Sequence, residues 1–207
     1  MVDFSTTYMG IPLKSPLVVA ASTISSMTDR IELAEQMGAG ALVIRSLFEE
    51  QILYDQQQLN DFLAVEGQVA ESTAPPFAST TLKGAEEHLK WVEHAREKVN
   101  MPLIASLNAV SPGSWVAYAR QLEQTGVNGL ELNVYSIATD SQKRGAEIEQ
   151  ELYQIVEAVR AEVNIPVAVK LSSGYTSVMN VATELDRRGV AALVLFNRFF
   201  QPTIDVE

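Results

Sequence analysis

The feature that most restricts the fold is a set of short apolar runs in which hydrophobic residues do not alternate with polar ones. They are "PLVVAAS" (16–22), "ALVIRS" (41–46), "PLIASLN" (102–108), "GLELNV" (129–134), "PVAVKLS" (166–172) and "ALVLFN" (192–197). A strand with one face in water alternates, whereas a run without alternation is buried on both faces, as in a parallel sheet covered by helices. The segments between the runs supply the cover. Met27 to Met37, Ser114 to Gln124, Gly145 to Val163 and Ser177 to Arg188 space their apolar residues by three and four, and "GAEEHLKWVEHAREKV" does so with a charged outer face. Gly38, Gly126 and Gly189 each close a helix shortly before a strand, where the left-handed position after a helix favours glycine.

Weak internal repeats point the same way. "GAGALVIRS", "GVNGLELNV" and "GVAALVLFN" share one plan, as do "NMPLIASLN" and "NIPVAVKLS": a turn, a buried strand, then a polar residue at its end. Alternation of this kind predicts an α/β fold, and the repetition favours a (β/α)8 barrel of the TIM type over an open doubly wound sheet. About six βα units are visible, where a closed barrel has eight strands and roughly 250 residues, so 1–207 reads as one barrel domain incomplete at its C-terminus. The stretch 47–83 interrupts the pattern. "SLFEEQILYDQQQLNDFL" has a helical period and "GQVAESTAPPFASTTLKG" has none, which predicts a helix and a loop inserted over the barrel mouth.

Composition removes several function classes. A formal net charge of −11, with the basic residues scattered among carboxylates, argues against a nucleic-acid partner. The absence of Cys excludes disulfides, a thiolate nucleophile and Cys-ligated metal centres. No run approaches the ~18 apolar residues that a membrane span needs, and the N-terminal residues lack a leader pattern, so a cytoplasmic protein without membrane contact is expected. No metal motif is present. A small-molecule substrate is the expected partner, with a homodimer as the commonest closed assembly.

In a (β/α) barrel the reaction is built at the C-terminal ends of the strands. That rule selects Ser22, Arg45, Asn108, Asn133, Lys170 and Asn197. Lys170 puts an ammonium near the end of an apolar strand, where it needs an anion or dipole to answer it: either a structural salt bridge, or a group that becomes negative during reaction. Asn133 and Asn197 can donate and accept, so they suit the edge of a planar heterocycle; the alternative is that each is a turn-forming Asn. Arg45 could clamp an anionic edge or pair with Glu49. His88 and His94 lie on the charged helix and are expected to be solvated, which leaves Ser136 without a triad partner. A barrel aldolase or isomerase using Lys170, and a non-catalytic truncated barrel, are both readings that these residues allow.

Taken together, "TTYMGIPLKSPLVVAAS", "RSLFEEQI", "ELNVYS", "VAVKLS" and "LFNRFFQPTIDVE" resemble the dihydroorotate dehydrogenase family, in its dihydroorotate dehydrogenase-like branch. The resemblance runs through nearly the whole chain. It implies an FMN-dependent (β/α)8 barrel of pyrimidine biosynthesis that oxidises dihydroorotate or a related planar substrate by hydride transfer to flavin. It also implies that Ala20, Ala21 and Ser22 lay backbone against the flavin, with Arg45, Asn108, Asn133, Lys170 and Asn197 as further cofactor contacts. Lys170 matches the family lysine beside the reduced ring, and Ser136 matches the base that removes the substrate proton. Three departures stand out. Ile137 and Ala138 replace the Pro-Asn that should follow Ser136, Arg45 stands where the family usually has Lys, and the Asn-x-x-Gly-Leu-Pro-Asn motif has no counterpart between Leu47 and Lys83.

Overall fold

A computed structural model describes residues 2–48, 83–108, 115–134 and 140–197. Two short strands, β1 (Thr6–Tyr8) and β2 (Ile11–Leu13), form an antiparallel hairpin. Six parallel strands follow in sequential order: β3 (Val18–Val19), β4 (Ala41–Phe48), β5 (Leu103–Asn108), β6 (Gly129–Asn133), β7 (Val167–Leu171) and β8 (Ala192–Leu195). Between them run α1 (Thr28–Gln36), α2 (Lys83–Lys98), α3 (Trp115–Gln124), α4 (Gly145–Glu162) and α5 (Val178–Arg187). A parallel sheet in strict strand order, with a helix on each crossover, is part of a (β/α)8 fold. Among the described residues the sheet is open, with β3 and β8 at its edges.

The helices lie where the apolar spacing put them. On α4 the stripe Leu152, Ile155, Val156 and Val159 is fully or almost fully buried, each side chain contributing roughly 1.5–3 kcal/mol by leaving water. α1, α3 and α5 are each followed within two residues by a glycine at positive φ: Gly38 at 93°, Gly126 at 82° and Gly189 at 74°. Gly40, in the first repeat, is required for a different reason: a Cβ there would lie 1.9 Å from the Ser15 carbonyl oxygen.

Alternate residues of each strand face opposite layers. Leu42, Ile44, Leu103, Ala105, Leu107, Leu130, Leu132, Val167, Val169 and Leu171 join the helices in the main core. Val43, Ile104 and Ala168 face the other way, onto Met9 of the hairpin, with Tyr8, Ile11, Ala192 and Val194 around them. The inner column is therefore apolar at the N-terminal end, where the hairpin plugs it. Further up the strands the inward residues become polar: Ser106 beside Glu131, then Asn108, Asn133 and Lys170 in one row.

Two helix-end carboxylates tie the strands together from below. Glu35, at the end of α1, accepts the backbone N–H groups of Asn100 (3.0 Å) and Met101 (2.7 Å) ahead of β5. Glu123, at the end of α3, accepts those of Asn164 (2.8 Å) and Ile165 (3.2 Å) ahead of β7. The repeats "NMPLIASLN" and "NIPVAVKLS" thus share a hydrogen-bonding scheme as well as a pattern.

Two expectations need correction, and one feature went unread. The first apolar run forms a strand only at Val18–Val19, because Pro16 offers no N–H and the chain turns into a 3₁₀ helix at Thr23–Ser26. β4 runs on to Phe48, so Leu47 and Phe48 belong to the sheet rather than to an inserted helix. The rest of the proposed insertion, 49–82, lies outside the described residues. The hairpin was not legible as strands, since its burial is confined to Leu13 and the turn residue Met9, leaving too short a pattern to read.

Candidate active-site cleft

Ala21, Ser22, Thr23, Arg45, Ser46, Asn133, Lys170 and Asn197 line one cleft of about 320 Å³ at the C-terminal ends of the strands. Six of the nine residues singled out from sequence meet there. Ala20 and Asn108 are not in its lining, although Asn108 sits beside Asn133 in register and its Oδ1 is buried without a hydrogen-bond partner among the described residues. Ser136 lies outside the described residues.

On one side of the cleft stands an ion pair. The Lys170 ammonium contacts the Glu131 carboxylate, their side chains being 14% and 5% exposed. Glu131 precedes Asn133 by two residues and so points to the same inner face, one step below Lys170 on the next strand. Sequence reasoning asked for an anion to answer Lys170 but did not name Glu131. The signal was present: it is the sole charge in "GLELNV", on the same face as Asn133. The carboxylate reaches downward too, and together with burial, the larger cause, it pushes the Tyr8 phenol up to about 12.

Asn197 donates through Nδ2 to Asn133 Oδ1 at 2.5 Å, and its backbone N–H donates to Leu171 O at 2.8 Å. With its oxygen engaged, the Asn133 amide presents its NH₂ to the cleft.

On the other side β4 bulges. Its register against β5 moves from Ile44 opposite Ala105 to Leu47 opposite Leu107, so Arg45 and Ser46 together face Ser106. An extra residue breaks the alternation, and both side chains reach the cleft. Ser46 and Ser106 share a 2.6 Å hydroxyl contact. The displaced backbone of Arg45 finds other partners: its N–H donates to Ser25 Oγ at 2.9 Å and its carbonyl lies 2.7 Å from His88 Nε2. Among the described residues the Arg45 guanidinium has no carboxylate partner. Glu49, its suggested partner, lies outside them.

The histidines are half-buried and hydrogen-bonded rather than simply solvated, contrary to expectation. His88 Nδ1 meets the buried Tyr118 hydroxyl at 2.7 Å, and burial holds the imidazole below its usual pKa. His94 Nε2 meets Thr28 Oγ1 at 3.1 Å and its ring packs against Trp91. Ala85, His88 and Val92 are spaced by three and four, which places His88 on the inward stripe of α2.

Fold and cleft together define a parallel (β/α)8-type chain with its polar groups gathered at the strand ends. A solved structure of phosphonopyruvate hydrolase, in complex with oxalate and Mg²⁺, is similar in fold, with a TM-score of 0.54, 16% identity, and coverage of 89% of this chain and 59% of that one. In sequence the chain is dihydroorotate dehydrogenase-like. It is 28% identical over 195 residues to the catalytic subunit of dihydroorotate dehydrogenase B (NAD(+)) of Methanothermobacter thermautotrophicus, covering 93% of this chain and 61% of that protein. It is 27% identical over 209 residues to a putative dihydroorotate dehydrogenase A (fumarate) of Aeropyrum pernix, covering 99% and 64% respectively. The chain thus spans under two thirds of the length of these relatives. No family model matches it.

Proposed function

We propose that this chain carries the ring-binding part of an FMN-dependent oxidoreductase that oxidises dihydroorotate or a related planar substrate. The observation that carries the reading is the cleft itself: a guanidinium, an ammonium, paired amides and hydroxyls converge where a parallel barrel places its chemistry. The names of the sequence relatives support the redox class.

The donor set fits an isoalloxazine ring. A planar edge that alternates donors and acceptors is matched by the Asn133 NH₂ and by the Lys170 ammonium. The orphaned Asn108 Oδ1 is a further acceptor close to that row. Ala21 and Ser22 would offer backbone from the β3 side. Bound FMN would supply the hydride acceptor, which no side chain can.

The chain's own residues do the rest. Lys170 places a fixed positive charge on one edge of the cleft, and Arg45 places another across from it. Ser136 would take the substrate proton. An ammonium held against a buried carboxylate is a charged donor rather than a free amine, which disfavours the Schiff-base alternative. In this reading the protein works in the cytoplasm.

The test is the absorbance spectrum of the purified full-length protein, followed by anaerobic reduction with dihydroorotate. Bound FMN is expected, with reduction slowed on the order of 10²-fold or more in Lys170→Ala. A colourless protein that takes up no added FMN at ~100 μM would remove the flavin reading.

A further inference from the structure

The cation on the bulge is presented by an unusual arrangement. Beyond Leu42, strand β4 has no pairing with β3, so the edge of Arg45 that faces away from β5 must find partners elsewhere. One partner is Ser25, fully buried in the 3₁₀ turn, whose hydroxyl donates to Ser22 O at 2.8 Å and accepts from Arg45 N. The other is His88 on α2. The same helix reaches the turn as well, through Trp91 Nε1, which donates to Ser25 O at 2.9 Å. Trp91 follows His88 by three residues, so both extend from neighbouring positions on one side of α2.

The protonation of His88 follows from its partners. A carbonyl only accepts, so Nε2 carries the proton that goes to Arg45 O; in the neutral ring Nδ1 is then an acceptor and takes the Tyr118 hydroxyl proton. The Arg45 carbonyl thus sets the tautomer, and Tyr118, 3% exposed, orients the ring. The arrangement matches that of an oriented imidazole in a site, yet its target is a backbone carbonyl under a cleft residue.

We infer that His88, oriented by Tyr118, is a positioning residue that holds the β4 bulge so that Arg45 presents its guanidinium to the cleft. The inference rests on the proposed function for the identity of the ligand, but its geometry does not. Lys170 already has Glu131 for a counter-ion, and Arg45 has none among the described residues. An anionic group entering the cleft meets on the Arg45 side a charge that no described carboxylate answers, and the place of that charge is set by two hydrogen bonds to the backbone of one residue. His88 thus acts on anion recognition through Arg45, without touching the ligand.

Two readouts on the full chain test this. The first is amide hydrogen exchange at Arg45. His88→Phe keeps a ring and removes the donor, and should speed Arg45 exchange about tenfold relative to Leu130. His88→Gln, which keeps a donor, should restore most of the protection, and Tyr118→Phe should give a smaller acceleration and serves where His88→Phe does not fold. Equal exchange at Arg45 in wild type, His88→Phe and Tyr118→Phe overturns the inference. The second readout is the affinity of the FMN-loaded protein for orotate. His88→Phe should weaken it by about the same factor as Arg45→Met, and the double variant should be no weaker than Arg45→Met alone. Additive losses would overturn action through Arg45. A wild type that binds neither FMN nor orotate, while Arg45 exchange accelerates as expected, refutes the functional reading and upholds the clamp.

Discussion

The segment α1–β4–α2–β5 and the segment α3–β6–α4–β7 are built on one plan and carry different chemistry. In both, a glutamate at the end of the first helix accepts two N–H groups from the turn before the second strand: Glu35 in one, Glu123 in the other. In both, a leucine early in the first strand donates to the proline of that turn, Leu42 to Pro102 at 3.0 Å and Leu130 to Pro166 at 2.9 Å. The inner faces diverge. Where the first segment has Val43, Arg45 and Ser106, the second has Glu131, Asn133 and Lys170. The first therefore offers, on a bulge, a cation with no carboxylate partner among the described residues, and the second a buried ion pair. The shared positions point to backbone and helices, so packing fixes them. The positions that differ point to the cleft, where packing leaves them free.

Breaking the ion pair should have the largest effect. Removing one member of a buried pair strands the other charge, at a cost of about 3–5 kcal/mol. Because Glu131 is 5% exposed and Lys170 14%, Lys170→Met should destabilise more than Glu131→Leu. The double variant should recover most of the loss, as chemical denaturation would show. A double variant less stable than both singles would mean that the pair is bound into a larger network.

The carboxylate ties come next. Glu35→Ala and Glu123→Ala each remove an acceptor from two backbone donors, and each should cost about 1.5–3 kcal/mol. Similar losses in the two urea titrations would sharpen the equivalence of the segments; a several-fold disparity would break it.

The smallest effect concerns acid, and belongs to the first segment alone. Burial of His88, with the Arg45 charge adding to it, lowers the imidazole pKa below the unfolded value of about 6.5. A depressed pKa means that the unfolded chain takes up the proton first. This contribution is complete above pH ~6.5 and is lost as pH falls from there through the folded pKa. Urea midpoints at pH 7.5 and 5.5 should therefore diverge more in wild type than in His88→Gln. An equal divergence would show that His88 does not titrate differently on folding.

These contrasts also mark what the sequence could tell. Buried runs without alternation sufficed for five of the strands, and the spacing of apolar residues for the helices, because both patterns are local. Lys170 announced itself as an ammonium in an apolar strand, and Glu131 could have been paired with it by counting two residues back from Asn133. The bulge was out of reach, since register is fixed by the partner strand rather than by "ALVIRS" itself. So was the place of His88, whose partners lie 30 and 43 residues away. The shortness of β3 and the hairpin plug depend likewise on contacts that only the assembled sheet provides.

The carboxylate ties have one more consequence, for chain length. Glu35 and Asn100 are 65 residues apart, whereas Glu123 and Asn164 are 41 apart. Closing a loop costs entropy that grows only with the logarithm of its length, so the longer connection adds about 0.4 kcal/mol to the closure of the first loop. That is well below what either tie contributes. The first segment can therefore carry more residues between β4 and α2 than the second carries between β6 and α4, with its carboxylate tie almost as firmly held.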